Sequence, residues 1–261
     1  MLQSRGETMI LDQFRLDNKK AIVTGSARGL GQAMAVGLAE AGADVALVDI
    51  IDMTGTQEKI TSLGRKCICI TADLSEKSSV DLIVSETVSG LGGIDILFNN
   101  AGIIRRAPLV DYTEKDWDDV MNINIRTLFF LSQSAGRVMI EQKRGGKIVN
   151  TASMLSFQGG ILVPSYTASK SAVMGLTRLL ANELAPHHIN VNAIAPGYMA
   201  TENTRALRED AARNKAILDR IPAGRWGDPE DLQGVAVFLA SPASDYLQGY
   251  TIAVDGGWLA R

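Results

Sequence analysis

Tyr166 and Lys170 stand four residues apart in the segment SYTASKSAVMGLTRLLANEL, a spacing that places both side chains on one face of a helix. A tyrosine normally ionises near pH ~10, and a neighbouring ammonium favours the phenolate, so the pair predicts a phenol that exchanges protons with a substrate. Helices also carry this spacing by chance, which leaves a solvated tyrosine beside a lysine as the simpler interpretation. The other motifs of the chain decide between the two.

A glycine-rich turn near the beginning of the chain has the context of a dinucleotide site. The apolar run KAIVT leads into TGSARGLG at 24–31, and a helical pattern follows. Glycines let the backbone approach a pyrophosphate, and the amides at a helix N-terminus stabilise its charge. Asp49 closes the next strand, where a carboxylate binds ribose hydroxyls and repels a 2′-phosphate, so NAD is favoured over NADP. Arg28 argues for a phosphate instead, and Asp49 as a plain strand-end acid is the alternative.

The order of these motifs resembles the short-chain dehydrogenase/reductase family over essentially the whole chain. The resemblance rests on Thr24-Gly25-x-x-x-Gly29-x-Gly31, Asn99-Asn100-Ala101-Gly102, Ser153, Tyr166-x-x-x-Lys170 and Pro196-Gly197. It implies an NAD-dependent oxidoreductase that acts on a CH–OH group, with a nicotinamide cofactor carrying the hydride.

The resemblance also implies the site residues. The catalytic set would be Asn124, Ser153, Tyr166 and Lys170: Tyr166 exchanges the proton, Ser153 hydrogen-bonds the reacting oxygen, Lys170 lowers the pKa of the phenol and binds the nicotinamide ribose, and Asn124 holds a water that links Lys170 to solvent. Ser156 is the nearest rival for the serine role, at a poorer spacing. The expected cofactor contacts are Gly25, Arg28, Gly29, Leu30, Gly31, Asp49, Asp73, Leu74, Asn100, Ala101, Gly102, Tyr166, Lys170, Pro196, Gly197, Met199 and Thr201.

Several stretches, among them SMLSFQGGILVPSYTASK and ILDRIPAGRWGDPEDL, resemble family members that work on pectin-derived sugar acids. The reaction implied is the NAD-linked interconversion of 2-dehydro-3-deoxy-D-gluconate and 2,5-didehydro-3-deoxy-D-gluconate. Guanidinium groups that could hold the substrate carboxylate are present at Arg105, Arg106 and Arg205, unless these are solvated or paired with acids elsewhere. The expected substrate contacts are Ser153, Met154, Gln158, Tyr166, Arg106 and Arg205. Alternative functions are reduction of a 3-oxoacyl thioester, steroid or polyol, or dinucleotide binding without turnover.

These residues need a scaffold, and the hydrophobic pattern predicts one. The chain has 261 residues, 46% of them hydrophobic, which is enough for one large α/β domain. Short β-rich runs at 20–24, 43–49, 66–71, 94–99, 146–151, 189–194 and 250–254 alternate with helical segments at 29–41, 55–64, 76–91, 114–143, 164–185 and 229–240. The alternation predicts a single-domain Rossmann fold, a doubly wound seven-stranded parallel sheet with helices on both faces.

The domain limits follow from the same pattern. Residues 1–9 are expected to form a disordered N-terminal extension, and residues 10–261 the single NAD-binding catalytic domain. The charged stretch at about 197–227, interrupted by Pro222, is expected to be a substrate lid, since long connections of this kind often are. Asp228-Pro229 is expected to begin a helix, with aspartate as the N-cap and proline in the first turn.

Composition narrows the partners. The formal net charge is −3 and no run of Lys or Arg is present, so we expect a small-molecule sugar acid as partner, with no nucleic acid and no membrane. No metal is expected, and we expect a cytoplasmic protein that forms the homotetramer common in the family, with the apolar tail 257–260 at an interface. Cys67 and Cys69 are expected to be buried thiols, with a metal or redox pair as the alternative. His187 and His188 are expected at a helix end on the surface.

Overall fold

Seven parallel strands form one sheet in a computed structural model that describes residues 9–261. The strands are β1 (Lys20–Thr24), β2 (Asp44–Asp49), β3 (Cys67–Thr71), β4 (Ile96–Asn99), β5 (Gly146–Thr151), β6 (Ile189–Pro196) and β7 (Thr251–Val254). Their order across the sheet is β3-β2-β1-β4-β5-β6-β7. All seven predicted strands and the predicted doubly wound architecture are confirmed. Most of the expected disordered extension, residues 1–8, lies outside the described residues.

Helices connect successive strands. They are α1 (Gly29–Glu40), α2 (Thr54–Ser62), α3 (Ser79–Leu91), α4 (Glu114–Met121), α5 (Leu128–Gln142), α6 (Pro164–Leu184), α7 (Arg205–Glu209), α8 (Ala211–Leu218) and α9 (Gln233–Ala240). The predicted helix at 114–143 is divided, because a π-helical segment, Asn122–Thr127, joins α4 to α5. The predicted helix at 229–240 begins with a 3₁₀ turn, Pro229–Leu232, after the N-cap Asp228.

Both faces of the sheet are buried. Ala21 and Val23 of β1 belong to one apolar cluster, while Ile22 belongs to a second cluster on the opposite face. Neighbouring side chains of a strand point to opposite faces, so this division shows that helices cover the sheet on both sides. Within residues 9–261, no helix combines the length and the apolar character needed to cross a bilayer.

The strand order reverses between β1 and β4. The chain winds outward through β2 and β3, then returns to the far side of β1 as β4. The loops that follow β1 and β4 therefore diverge and leave a crevice at the carboxyl ends of these two strands. Parallel α/β sheets bind their ligands at such a point.

The prediction of two buried thiols is wrong for one of them. Cys69 is exposed and Cys67 is partly buried. Both lie on β3, which forms an edge of the sheet, and only Cys67 packs against the apolar cluster that contains Ile60 of α2. Burial raises the pKa of the Cys67 thiol to about 12. Cys69 is therefore exposed because β3 lies at the edge of the sheet, where fewer neighbouring elements cover its side chains.

Candidate active site

The glycine turn between β1 and α1 lines the crevice and excludes side chains where the backbone is tightest. Gly25 and Gly29 have φ angles of +66° and +58°, a region that glycine enters without strain. A Cβ on Gly31 would stand 1.9 Å from the carbonyl oxygen of Gly25, so this position excludes any side chain. α1 begins at Gly29 directly after this turn, and no side chain of its N-cap accepts from its first amides. Free amides at a helix N-terminus suit an anion.

The loop after β4 holds this turn in place. The Asn100 side-chain amide donates to the carbonyl oxygens of Thr24 and Gly25, at 3.0 and 3.1 Å. In return, Thr24 Oγ1 accepts from the backbone amides of Asn100 and Ala101, each at 3.0 Å. The side chain of Asn100, a predicted cofactor contact, therefore holds the shape of the glycine turn. Thr24, which begins the glycine motif but was not among the expected cofactor contacts, is its partner.

Asp49 ends β2 next to the glycine turn, as predicted. Its carboxylate accepts from the backbone amide of Ala27 at 3.0 Å and from that of Ile50 at 2.8 Å. Arg28 is exposed at the N-cap of α1. Asp73 follows β3, and its carboxylate accepts from the Ser75 amide at 2.8 Å. Both acids thus stand at the carboxyl edge of the sheet.

Leu74, in the loop after β3, connects this edge of the sheet to the segment between α4 and α5. Its carbonyl oxygen accepts from Thr127 Oγ1 at 2.7 Å, which ties the loop after β3 to the π-helical segment. The expected contacts after β6 lie on the other side of the crevice. Met199 is buried, and a Cβ on Gly29 would meet the side chain of Thr201 at 3.7 Å, so the glycine turn and the start of the expected lid are neighbours.

Ser153, Tyr166 and Lys170 converge beyond the end of β5. Ser153 is the N-cap of a one-turn 3₁₀ helix, Met154–Ser156, and it is buried. Tyr166 lies in the first turns of α6 and is half-buried, close enough to Ser153 for the two hydroxyl groups to interact. The Lys170 ammonium is buried, donates to the carbonyl oxygen of Thr151 at 2.6 Å, and lies 5.7 Å from the centre of the Tyr166 ring.

Asn124 joins this group from the π-helical segment. Its Oδ1 accepts from the backbone amide of Ile103 at 2.9 Å, while its Nδ2 donates to the Ile103 carbonyl and to Ser169 Oγ, each at 3.0 Å. A Cβ on Gly102 would lie 3.1 Å from Asn124 Oδ1 and 3.5 Å from Lys170 Nζ. Asn124 and Lys170 therefore lie on two sides of Gly102, close to each other. Ser169, which the motifs did not indicate, is a further hydrogen-bond partner of Asn124.

The electrostatics of the phenol differ from the prediction. Burial raises the pKa of Tyr166, while the Ser153 hydroxyl and the positive charge of Arg106 act in the lowering direction without offsetting it. Burial also lowers the pKa of Lys170, to about 8. The phenol pKa is therefore raised in this structure where a lowered one was expected, because burial outweighs the groups that act to lower it; the effect of Lys170 on the phenol stays a prediction.

The predicted arginines fall into different environments. Arg106 is exposed at the rim, close enough for its charge to affect Tyr166, and its Nη2 donates to the Asn203 carbonyl at 3.3 Å. Arg105 instead lies 3.4 Å from an oxygen of Asp116. Arg205 pairs with Glu202 at 2.9 Å and lies 3.8 Å from Glu209. Only Arg106 of the three is placed by these contacts beside the phenol.

The two other expected substrate contacts, Met154 and Gln158, lie in different surroundings. Met154 directly follows Ser153 and is buried in an apolar cluster with Ile217 and Trp258. Gln158 lies farther along, and its Oε1 accepts from Arg220 Nη2 at 3.2 Å. Its side chain therefore interacts with the segment after α8, and only Met154 shares the immediate surroundings of Ser153.

The expected lid contains two short α-helices. α7 and α8 lie within 197–227, and the Arg208 guanidinium of α7 donates to the Thr201 carbonyl at 3.0 Å. Asp210 caps α8 by accepting from the amides of Ala212 and Arg213, each at 3.0 Å. Trp258, in the tail expected at an interface, is buried in this chain beneath the segment, and the Arg220 guanidinium stacks over its ring at 3.9 Å.

Comparison with known proteins places this chain in a family. A family model described as "Enoyl-(Acyl carrier protein) reductase" matches residues 25–259. The chain belongs to the short-chain dehydrogenase/reductase family, so it is an oxidoreductase that uses a nicotinamide dinucleotide. The curated relative from Dickeya dadantii (strain 3937), 2-dehydro-3-deoxy-D-gluconate 5-dehydrogenase, is 64% identical over 97% of this chain and 100% of its own length.

Two further relatives agree with this assignment. The Escherichia coli (strain K12) protein of the same name is 62% identical over 97% of this chain and 100% of its own length. A solved structure, a putative 2-deoxy-d-gluconate 3-dehydrogenase from Agrobacterium tumefaciens with bound NADP, has a TM-score of 0.91 and 55% identity, covering 95% of this chain and 99% of that one.

Proposed function

We propose that this protein interconverts 2-dehydro-3-deoxy-D-gluconate and 2,5-didehydro-3-deoxy-D-gluconate with NAD, using Tyr166 as the acid and base. The observation that carries the proposal is the convergence of Ser153, Tyr166 and Lys170 beside the crevice between β1 and β4. The 64% identity to a relative named for this reaction supports the choice of substrate.

The residues of the chain divide the work of moving a proton. When bound, the nicotinamide ring accepts or donates the hydride. In oxidation, Tyr166 Oη takes the proton of the substrate hydroxyl, and in reduction it returns that proton to the carbonyl oxygen. Ser153 donates a hydrogen bond to the same oxygen as its charge changes. The pKa of Lys170 is lowered to about 8, which is close to neutral pH, so its ammonium group can release a proton and take one up during turnover.

The preference for NAD rests on Asp49. A carboxylate at the end of β2, held by the amides of Ala27 and Ile50, suits ribose hydroxyls and repels a 2′-phosphate. NADP is the second candidate, because Arg28 is exposed nearby and a relative has NADP bound. We expect Asp49→Ser to lower kcat/KM with NAD and to raise it with NADP. An unchanged ratio of the two values would show that Asp49 does not set the cofactor preference, and a wild-type ratio in favour of NADP would make NADP the natural cofactor.

The acidic substrate is assigned to Arg106. Its guanidinium lies near Tyr166 and reaches the lid backbone at Asn203, so it stands between the two sides of the cleft. A planar guanidinium binds a carboxylate through two parallel hydrogen bonds. A sugar acid held there would present its hydroxyl groups toward the phenol.

The test is an NADH absorbance assay on Tyr166→Phe. We expect kcat on the sugar acid to fall by roughly 10²-fold or more, since the general acid and base is lost. Fluorescence titration of NADH should show an affinity within about twofold of wild type, because the ring of the residue remains. The fully exposed Tyr246, replaced by Phe, is the matched control and should retain full activity. Undiminished turnover by Tyr166→Phe would refute the mechanism.

The same assay tests the substrate. The panel should include 2-dehydro-3-deoxy-D-gluconate, a 3-oxoacyl thioester, a steroid and a polyol. We expect the highest kcat/KM on the sugar acid. A higher value on the thioester would move the assignment to another branch of the family, and binding of NADH without any turnover would indicate a binding protein.

A further inference from the structure

Ser156 makes two hydrogen bonds that join the catalytic elements. Its Oγ donates to the backbone carbonyl of Lys170 at 2.6 Å and accepts from the backbone amide of Ser153 at 3.2 Å. One hydroxyl group therefore connects the turn that carries Ser153 to the helix that carries Tyr166 and Lys170. Its side chain lies near the site without belonging to the set that exchanges protons.

The bonding capacity of the hydroxyl is important here. A serine hydroxyl has a single proton to donate, and that proton is given to the Lys170 carbonyl. Ser156 thus cannot donate to a substrate oxygen without giving up its link to α6. This distinguishes it from Ser153, whose Oγ accepts from the Leu155 amide at 3.2 Å and keeps its own proton for another partner.

The hydrogen bonds of Ser156 connect two elements that are separated along the chain. The 3₁₀ turn, Met154–Ser156, follows a strand, whereas α6 begins at Pro164 after an exposed stretch that includes Gly159 and Gly160. This connection lies at the surface, so a direct bond between the turn and α6 adds a shorter restraint on the distance between Ser153 and Tyr166. Ser156 crosses the gap directly.

We propose that Ser156 is a positioning residue that sets Ser153 against the Tyr166 phenol. The inference rests on the proposed proton transfer, and it adds a residue that holds the geometry of that step. An error of about 1 Å in the placement of a reacting group can lower a rate by roughly 10²-fold. Loss of a hydrogen bond that fixes this placement is therefore expected to lower kcat.

The inference predicts a change in the titration of Tyr166. Ser153 acts to lower the pKa of the phenol, so its displacement should raise that pKa further. The charged groups near the phenol are Arg106 and Lys170, and replacement of Ser156 leaves both in the chain. In alcohol oxidation the phenolate acts as the base, so the rate rises with pH as it forms. This rise on the acidic side of the pH profile should therefore move to higher pH.

The experiment compares Ser156→Ala with Ser156→Thr and with Ser241→Ala. We expect Ser156→Ala to lower kcat by about tenfold or more, with NADH affinity within about twofold of wild type, and Ser156→Thr to recover most of the rate because it keeps the hydroxyl. Ser241 is buried and remote from the site, and like Ser156 it donates to a backbone carbonyl, that of Phe238 at 3.0 Å. It therefore controls for the loss of one such bond.

A second measurement is independent of turnover. The Tyr166 pKa can be followed by NMR with ¹³C-labelled tyrosine, assigned with Tyr166→Phe, and Ser156→Ala should raise it while Ser241→Ala does not. An unchanged tyrosine pKa, or a loss of rate that Ser241→Ala reproduces, would overturn the inference. Absence of wild-type turnover on sugar acids would count against the proposed function, whereas the tyrosine titration would still decide the role of Ser156.

Discussion

At the scale of individual residues, we propose that Arg106 recognises the negative charge of the substrate. We expect Arg106→Met to raise KM for the sugar acid by about tenfold or more, because a charge-assisted hydrogen bond contributes roughly 1.5–3 kcal/mol. The Tyr166 pKa should also rise, since the Arg106 charge acts to lower it. Steady-state kinetics with varied substrate measures the first effect. Arg205→Met is the matched control, and a larger KM effect there would place the carboxylate at the lid.

Lys170 makes stability depend on pH. Its pKa is lowered to about 8 by burial, so the folded chain releases this proton before the unfolded chain does, whose lysine titrates near pH ~10.4. Between these values the unfolded state binds more protons, and stability rises with pH. We expect the free energy of unfolding of wild type, relative to Lys170→Met, to increase by on the order of 3 kcal/mol between about pH 8 and 10. Urea titrations across this range measure it, and a flat difference would contradict the lowered pKa.

The motif residues were predictable because their chemistry is local. The spacing of Tyr166 and Lys170 can be read directly from the sequence, and both residues lie in the helix α6, as that spacing predicts. The direction of the phenol pKa was not predictable, because it depends on burial and on Arg106, a residue 60 positions away in the sequence. Likewise, the Asn100 amide turned out to hold the glycine turn, which depends on two loops meeting across the sheet.

At the scale of elements, the junction of β1 and α1 is the most constrained part of the site. We expect Gly31→Ala to weaken NADH binding by roughly tenfold or more, because its methyl group would overlap the Gly25 carbonyl and force the turn to move. Gly55→Ala in α2 is the control, since nothing lies within 4 Å of the added group. Fluorescence titration gives both affinities, and equal affinity in Gly31→Ala would show that the turn adapts.

The division of the helix at 114–143 shows what periodicity misses. The apolar pattern continues through Asn122–Thr127, so the sequence predicted one helix, yet the backbone widens to a π-helix at the position of Asn124. Such widenings are common at functional sites, where they direct a side chain. Here Asn124 reaches Ile103 and Ser169 from that segment, a geometry that depends on tertiary packing.

At the scale of the whole molecule, the exposed apolar side chains of the helices bear on assembly. Phe130 on α5 and Leu179 on α6 are 38% and 44% exposed. We propose that this surface contributes to a homotetramer, as the family resemblance implies, and expect light scattering to give four times the chain mass of 28.0 kDa. A mass of one chain would contradict this proposal.

A pair of variants locates the surface. Leu179→Glu should lower the mass, because a charge at an apolar interface is left without a partner. Leu63→Glu, at a side chain of similar exposure, 43%, beyond the end of α2, should leave it unchanged. Loss of assembly in both variants would point to general destabilisation.

The bonds between Thr24 and Asn100 have a consequence for how the chain acquires its ligand affinity during folding. They join residues 76 positions apart, so the glycine turn, where we propose that the diphosphate binds, cannot be held until β4 has docked beside β1. Contacts so distant in sequence close late, because the entropy of the intervening loop is lost first. Cofactor fluorescence in a refolding experiment should therefore lag behind the appearance of helical circular dichroism, and it would report completion of the central sheet rather than its nucleation.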